Sequence, residues 1–221
     1  MSSRAAPGLL AGRALVAVDL ETTGWSFNDG HQAIEIACVT IDDGAVSATW
    51  SSLVRPRRPV PASAREVHGI SDAMLAGAPE PAVVALRFRG IVGGLPLVFH
   101  NAAFDLAFLR PLLREAGAAP LDNVVVDTLG LARGLLGAGS NTLESLRESL
   151  GLEAELAHRA LGDARTTARA LLALAPRWER ERGVRSLEAL AAASQDALRV
   201  AGRRGAFESG ADPVAAEPAV F

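Results

Sequence analysis

Three β-compatible segments near the N-terminus, stitched by Asp-Gly pairs, constrain the fold most. Residues 13–20 (RALVAVDL), 33–41 (AIEIACVTI) and 46–54 (VSATWSSLV) are rich in β-branched and small apolar side chains, with Asp29-Gly30 and Asp43-Gly44 lying between them. Asp-Gly tolerates the positive φ of tight hairpin turns, so the three segments read as an antiparallel meander whose first strand is buried. Pro56, Pro59 and Pro61 then deny ladder donors to 55–80, which reads as loop, and Pro79 marks a helix entry near Ala82. Residues 95–100 (LPLVFH) and 123–126 (NVVV) read as a fourth and a fifth strand. Between them lies a helix over 102–117, capped by Asn101, kinked at Pro111 and ended by Gly117. Asp127 reads as the cap of a further helix, and Asn141 with Glu144 as a capping box. Over 162–175 a helix turns Ala164, Ala168, Leu171 and Leu172 inward. Strands first, then helix and strand in alternation, indicate an α/β fold with a mixed sheet flanked by helices.

A chain of 221 residues with 49% hydrophobic content buries one good-sized core. The expected division is a flexible N-terminus over 1–12, a folded domain over 13–175, a helical extension over 176–204 and a disordered tail over 205–221. No run is apolar and long enough to span a membrane, and the N-terminus lacks a signal-peptide core, so a soluble, cytoplasmic protein is expected. The single cysteine, Cys38, excludes an internal disulfide and a Cys-rich zinc site, and reads as a small buried residue. All 22 basic residues are Arg, a coding bias rather than a binding device. A net charge of −3 does not advertise nucleic-acid binding, but local distribution matters more than the sum.

The chemistry lies in the acids. Asp19 and Glu21 stand two apart at the end of the first strand, so both carboxylates share one face and repel unless a cation lies between them. Asp105 falls in the first turn of the helix after strand four. Asp163 follows His158 by five residues, a spacing of about 500° on a continuous helix that keeps the two side chains apart. Gly162 resolves this by letting a helix begin there, with Asp163 in its first turn and His158 on a loop folding over the site. Four carboxylates suit Mg²⁺ or Mn²⁺, and two such ions about 4 Å apart clamp the attacking and leaving oxygens of a phosphodiester. His158 is then suited to take a proton from the attacking water.

The segments VDLETTG (18–24), HNAAFD (100–105) and HRALGDA (158–164) closely resemble, in order, the three motifs of DEDD-superfamily exonucleases of the histidine-base branch. The resemblance is nearest to the epsilon proofreading subunits of bacterial DNA polymerase III and their stand-alone relatives. It spans roughly 13–175 and takes in IEIACV (34–39) and VHGIS (67–71). It implies a ribonuclease H-like fold with a five-stranded mixed sheet. It also implies two Mg²⁺ or Mn²⁺ on Asp19, Glu21, Asp105 and Asp163, and His158 as general base. Leu20, Thr22, Thr23 and Asn101 are then expected to contact the 3′-terminal nucleotide. The reaction implied is 3′-to-5′ removal of nucleoside 5′-monophosphates from single-stranded or frayed ends. DNA is favoured, with RNA as the alternative and a non-catalytic scaffold as a further one. A polymerase or repair partner would dock through 176–221, and no membrane is involved.

Other residues have weaker expectations. Glu35 alternates with apolar neighbours and is left outside the metal shell; His68 and His100 read as structural, and His31 as an exposed turn residue. Trp25 and Phe27 either stack on a base or pack under a loop. Arg55, Arg57, Arg58 and Arg65 either touch phosphates or are solvated.

Overall fold

A strand with apolar residues on both faces needs cover on both, and β1 (Ala14–Thr22) receives it at the centre of a five-stranded sheet. The computed structural model describes residues 8–137 and 142–209, with side chains to residue 200. After β1 come β2 (Ala33–Asp42), β3 (Ala45–Leu53), α1 (Ala62–His68), α2 (Asp72–Leu75), α3 (Pro81–Val92) and β4 (Leu97–Phe99). Then follow α4 (Ala102–Glu115), β5 (Val125–Asp127), α5 (Thr128–Leu136), α6 (Leu143–Ser149), α7 (Ala160–Arg182) and α8 (Leu187–Ser209).

The strand order is β3-β2-β1-β4-β5, with β1–β2 and β2–β3 antiparallel and β1–β4 and β4–β5 parallel. The expected meander and mixed sheet are both present. Asp43 and Gly44 adopt φ of +49° and +75°, the left-handed pair that a tight β2–β3 hairpin requires. Asp29-Gly30 instead closes a 3₁₀ turn, Phe27–Asp29, inside a longer β1–β2 connection.

The period of two sorts each strand onto two cores. Leu15 and Ala17 of β1, Ala37, Val39 and Ile41 of β2 and Val98 of β4 pack with α5, α7 and α8. Val16, Val18, Leu20, Ile36, Cys38, Leu97 and Phe99 pack with α3 and α4. Asp19, Glu21 and Glu35 share the parity of the first set, so all three are directed to the α7 side. Burial pushes the Cys38 thiol up to about 12, which leaves it inert at neutral pH.

Several expectations are corrected. Within 55–80 lie two short helices, because the prolines flank rather than interrupt 62–75, and Val60, Ile70, Leu75 and Ala78 close a small core on Ile34. Asn101 does not cap α4: its φ of +72° is left-handed, and its side chain makes no capping bond. The Asp127 carboxylate serves instead, accepting the Asn101 and Ala102 N–H groups at 3.1 and 2.8 Å while also accepting Leu129 N–H at the start of α5. At α6 the cap is Thr142, whose Oγ1 accepts Ser145 N–H, and Asn141 lies outside the described residues. Leu9 and Leu10 are buried in the α7-side core, so order begins before residue 13.

The boundary at 175 falls inside α7, which is one helix to Arg182. The helical extension is packed onto the domain. Leu187, Leu190 and Ala191 join the α7-side core, and Ser194 Oγ accepts Asp127 N–H at 3.1 Å, so α8 covers the sheet edge that β5 would otherwise expose. The helix runs on to Ser209, and 210–221, the rest of the expected tail, lies outside the described residues.

Candidate active site

Parity delivers Asp19 and Glu21 to the α7 side at the end of β1, where a register shift between Glu21 and Thr22 bends the strand. Asp163 comes from the first turn of α7, and carboxylate oxygens of Asp19, Glu21 and Asp163 lie within 4.8 Å of one another. Asp105, 4% exposed in the first turn of α4, stands close enough to be a principal source of repulsion on Asp19.

Burial and mutual repulsion raise the acids above their ordinary values. Desolvation, with repulsion from Asp163 and Glu35, pushes Glu21 up to about 8, against a smaller opposing pull from Arg159. Desolvation raises Asp163 to about 6, although His158 opposes the rise. Asp19 is raised well above the carboxylate range by burial and then by Asp105, Asp163 and Glu21, and Asp105 is raised chiefly by burial. Crowded carboxylates with little positive compensation fit a hard divalent cation held through oxygen.

His158 sits on the loop before α7 with φ +56°, exposed, and its backbone N–H donates to Asp163 Oδ2 at 3.0 Å. Among the described residues its ring makes no hydrogen bond, so it is free to meet a ligand. Gly162 is needed for a different reason than expected. The helix begins at Ala160, and a Cβ at 162 would overlap the Leu156 carbonyl oxygen. Gly162→Ala is therefore expected to push the 156–158 segment outward. A displacement of this kind costs up to about a hundredfold in rate, and about tenfold is expected here, read as kcat beside a thermal melt that drops only modestly.

Glu35 is the residue beside the acids whose partner sequence reasoning missed. At 4% exposure it accepts Arg159 Nη2 at 2.7 Å, Arg159 Nε at 3.0 Å and Ala160 N–H at 3.1 Å. It thereby ties β2 to the residue next to His158. A charge buried on an apolar strand needs a partner, and that requirement was the available signal.

Leu20 is buried in the α4-side core, and the Thr22 and Thr23 hydroxyls are taken up by the turn: Thr22 Oγ1 donates to Gly24 O, and Thr23 Oγ1 accepts Gln32 N–H. His31 is half-buried rather than exposed, with its ring against Gly24 and Nδ1 3.2 Å from Thr23 Oγ1. His68 is buried and accepts Ile70 N–H, while His100 Nδ1 lies 2.9 Å from Thr128 Oγ1. Of the loop arginines, Arg55 pairs with Glu80, Arg57 with Glu115, and Arg58 donates to Asp29 O.

Asp19, Asp163, His158, His100 and Asn101 open into one cleft of about 1560 Å³. That exceeds the ~300–1,000 Å³ of ordinary small-molecule pockets and suits a section of polymer.

The Exonuclease (RNase_T) family matches residues 16–171. A DNA polymerase III subunit epsilon-like protein of Rhodobacter capsulatus is 42% identical over 166 residues, covering 73% of this chain but only 23% of that protein's length. The DNA polymerase III subunit epsilon of Treponema pallidum is 36% identical over 155 residues, covering 69% of this chain and 72% of its own. Exonuclease X, solved in complex with 5′ overhanging duplex DNA, superposes with a TM-score of 0.65 at 27% identity, covering 81% of this chain and 99% of that one. The span matched encloses all four carboxylates and His158, and the chain belongs to the RNase_T family of exonucleases.

Proposed function

We propose that the protein is a 3′-to-5′ exonuclease acting on single-stranded or frayed DNA ends and releasing nucleoside 5′-monophosphates. The observation that carries this reading is the convergence of Asp19, Glu21 and Asp163 within 4.8 Å, beside buried Asp105 and with His158 on the adjoining loop. Asp19, Glu21, Asp105 and Asp163 would hold two Mg²⁺ or Mn²⁺ ions, which supply charge stabilisation at the phosphodiester oxygens and a more acidic attacking water. His158 takes the proton of that water from the solvent side, and Asp163 holds the His158 backbone in place while facing the acids. The terminal nucleotide reaches the acids at the end of β1, with the Leu20–Thr23 backbone and Asn101 as its nearest contacts. The epsilon relatives support a proofreading or repair setting, and a polymerase or repair partner would dock through residues 176–221.

The test is purified protein with Mg²⁺ or Mn²⁺ on 5′-labelled single-stranded DNA and RNA of one sequence. A metal-dependent ladder shortening from the 3′ end is expected, faster on DNA. His158→Ala should slow it by about a hundredfold, the lower range for a lost general base, without changing the melting temperature. Faster cutting of RNA would move the assignment to an exoribonuclease. End-binding without cleavage would leave a scaffold.

A further inference from the structure

Two arginines on the outer face of α4 stand apart from the other cations of the cleft. Arg110 and Arg114 are one turn apart, exposed, and line the cleft, and among the described residues neither has an acidic partner or a side-chain hydrogen bond. Arg147, across the cleft, is by contrast held by Glu144 and Glu148. Phe104, Ala107, Arg110 and Arg114 are spaced three or four apart, so they form one stripe along the helix, and all four line the cleft. The stripe starts beside Asp105 and runs away from the acids for about 15 Å, ten residues at the α-helical rise.

At its catalytic end stands Trp25. It is 65% exposed and rests edge-on against Phe104, with ring centroids 6.3 Å apart, and Phe104 is backed by Phe108 at 5.2 Å. Leaving an indole this exposed forgoes burial that a smaller residue would not need, while the edge contact with Phe104 supports it from one side. An aromatic face followed by unpaired guanidiniums is what a single nucleic-acid strand binds without regard to sequence.

We propose that Trp25 and the Arg110–Arg114 stripe form a subsite for the nucleotides upstream of the scissile bond. Trp25 stacks on a base, and the two guanidiniums contact the phosphates that follow as the strand leaves along α4. This rests on the exonuclease reading. It gives a chain of net charge −3 two guanidiniums without acidic partners among the described residues where the polymer passes.

The test uses an oligothymidylate series from two to ten nucleotides, with the Arg110→Ala/Arg114→Ala and Trp25→Ala proteins and a Trp25→Phe control. For the wild type, KM should fall with length and then level off. The double arginine variant should raise KM for the longer oligomers about tenfold with kcat changed less than twofold. It should also flatten the log–log salt dependence of KM by about 1.4, the loss of two single-strand phosphate contacts. Trp25→Ala should raise KM similarly with no change in salt slope, and Trp25→Phe should restore most of it. Unchanged KM and salt slope in the arginine variants would overturn the subsite. The parent reading is checked separately with the p-nitrophenyl ester of thymidine 5′-monophosphate, which has no upstream nucleotide. If the wild type turns over this ester and the arginine variants keep wild-type KM on oligomers, the subsite alone fails; if the wild type cuts neither substrate, the exonuclease reading fails with it.

Discussion

Asp19→Asn is expected to abolish hydrolysis while making the metal-free protein more stable. Asp19 lies where repulsion from Asp105, Asp163 and Glu21 adds to the cost of burial, all acting to keep it protonated. Replacing it with a neutral isostere removes that repulsion, so the apo variant should melt above the apo wild type. The same change deletes a cation ligand. Charge stabilisation of this kind amounts to several kcal/mol, and at about 1.4 kcal/mol per factor of ten the rate should fall by roughly a thousandfold or more.

The pH dependence carries the same signature. Glu21 is lifted from 4.5 to about 8, and Asp163 from 3.8 to about 6. A carboxyl with a raised folded-state pKa binds more protons folded than unfolded, so stability falls as pH rises between the two values. The apo wild type should therefore lose stability from about pH 4 to about pH 8, the window set by these two groups. Saturating Mg²⁺ should flatten that slope, and binding should release protons, seen as buffer-dependent heats in calorimetry. A flat apo profile, or an Asp19→Asn protein that melts below the wild type, would show that the acids are not crowded as the geometry places them.

The sheet was legible because its signals are local. Alternation in 33–41 and the Asp43-Gly44 pair specify a hairpin without help from elsewhere, and the parity of Asp19 and Glu21 follows from strand geometry alone. The convergence of the acids was legible for the same reason: each sits near the end of an element that its own neighbours define. What stayed hidden depends on partners distant in sequence. Nothing around Asn101 shows that Asp127, 26 residues on, takes over its capping role. Glu35 looks misplaced until Arg159, 124 residues away, is brought against it. The packing of α8 on the sheet was not legible, because the edge it covers, at β5, is only three residues long and carries no mark of needing cover. Gly162 was correctly singled out, but its cause is the Leu156 carbonyl, a close approach that spacing along a helix does not reveal.

Arg159→Ala is expected to give the largest loss of stability of any substitution at the site. The Glu35 side chain is 5% exposed and that of Arg159 34%, so the pair is anchored at its buried carboxylate. Removing the guanidinium leaves Glu35 with the Ala160 N–H as its remaining partner. Breaking a buried pair in this way costs about 3–5 kcal/mol, which for a chain of this size lowers the melting temperature by roughly 10 °C. Arg159→Lys should recover little, because an ammonium cannot reproduce the two-nitrogen fork that meets both Glu35 oxygens. Glu35→Gln/Arg159→Met should recover much of the stability, since no buried charge is then left alone. It should not recover kcat, because the clamp that fixes the chain beside His158 is still missing, and Glu21 loses the Arg159 cation that opposes the rise of its pKa. Activity in the double variant should thus remain well below wild type, with a shifted pH–rate profile, at near-normal thermal stability. If kcat and melting temperature instead recover together, the Glu35–Arg159 pair serves the fold alone and His158 is held by the loop itself.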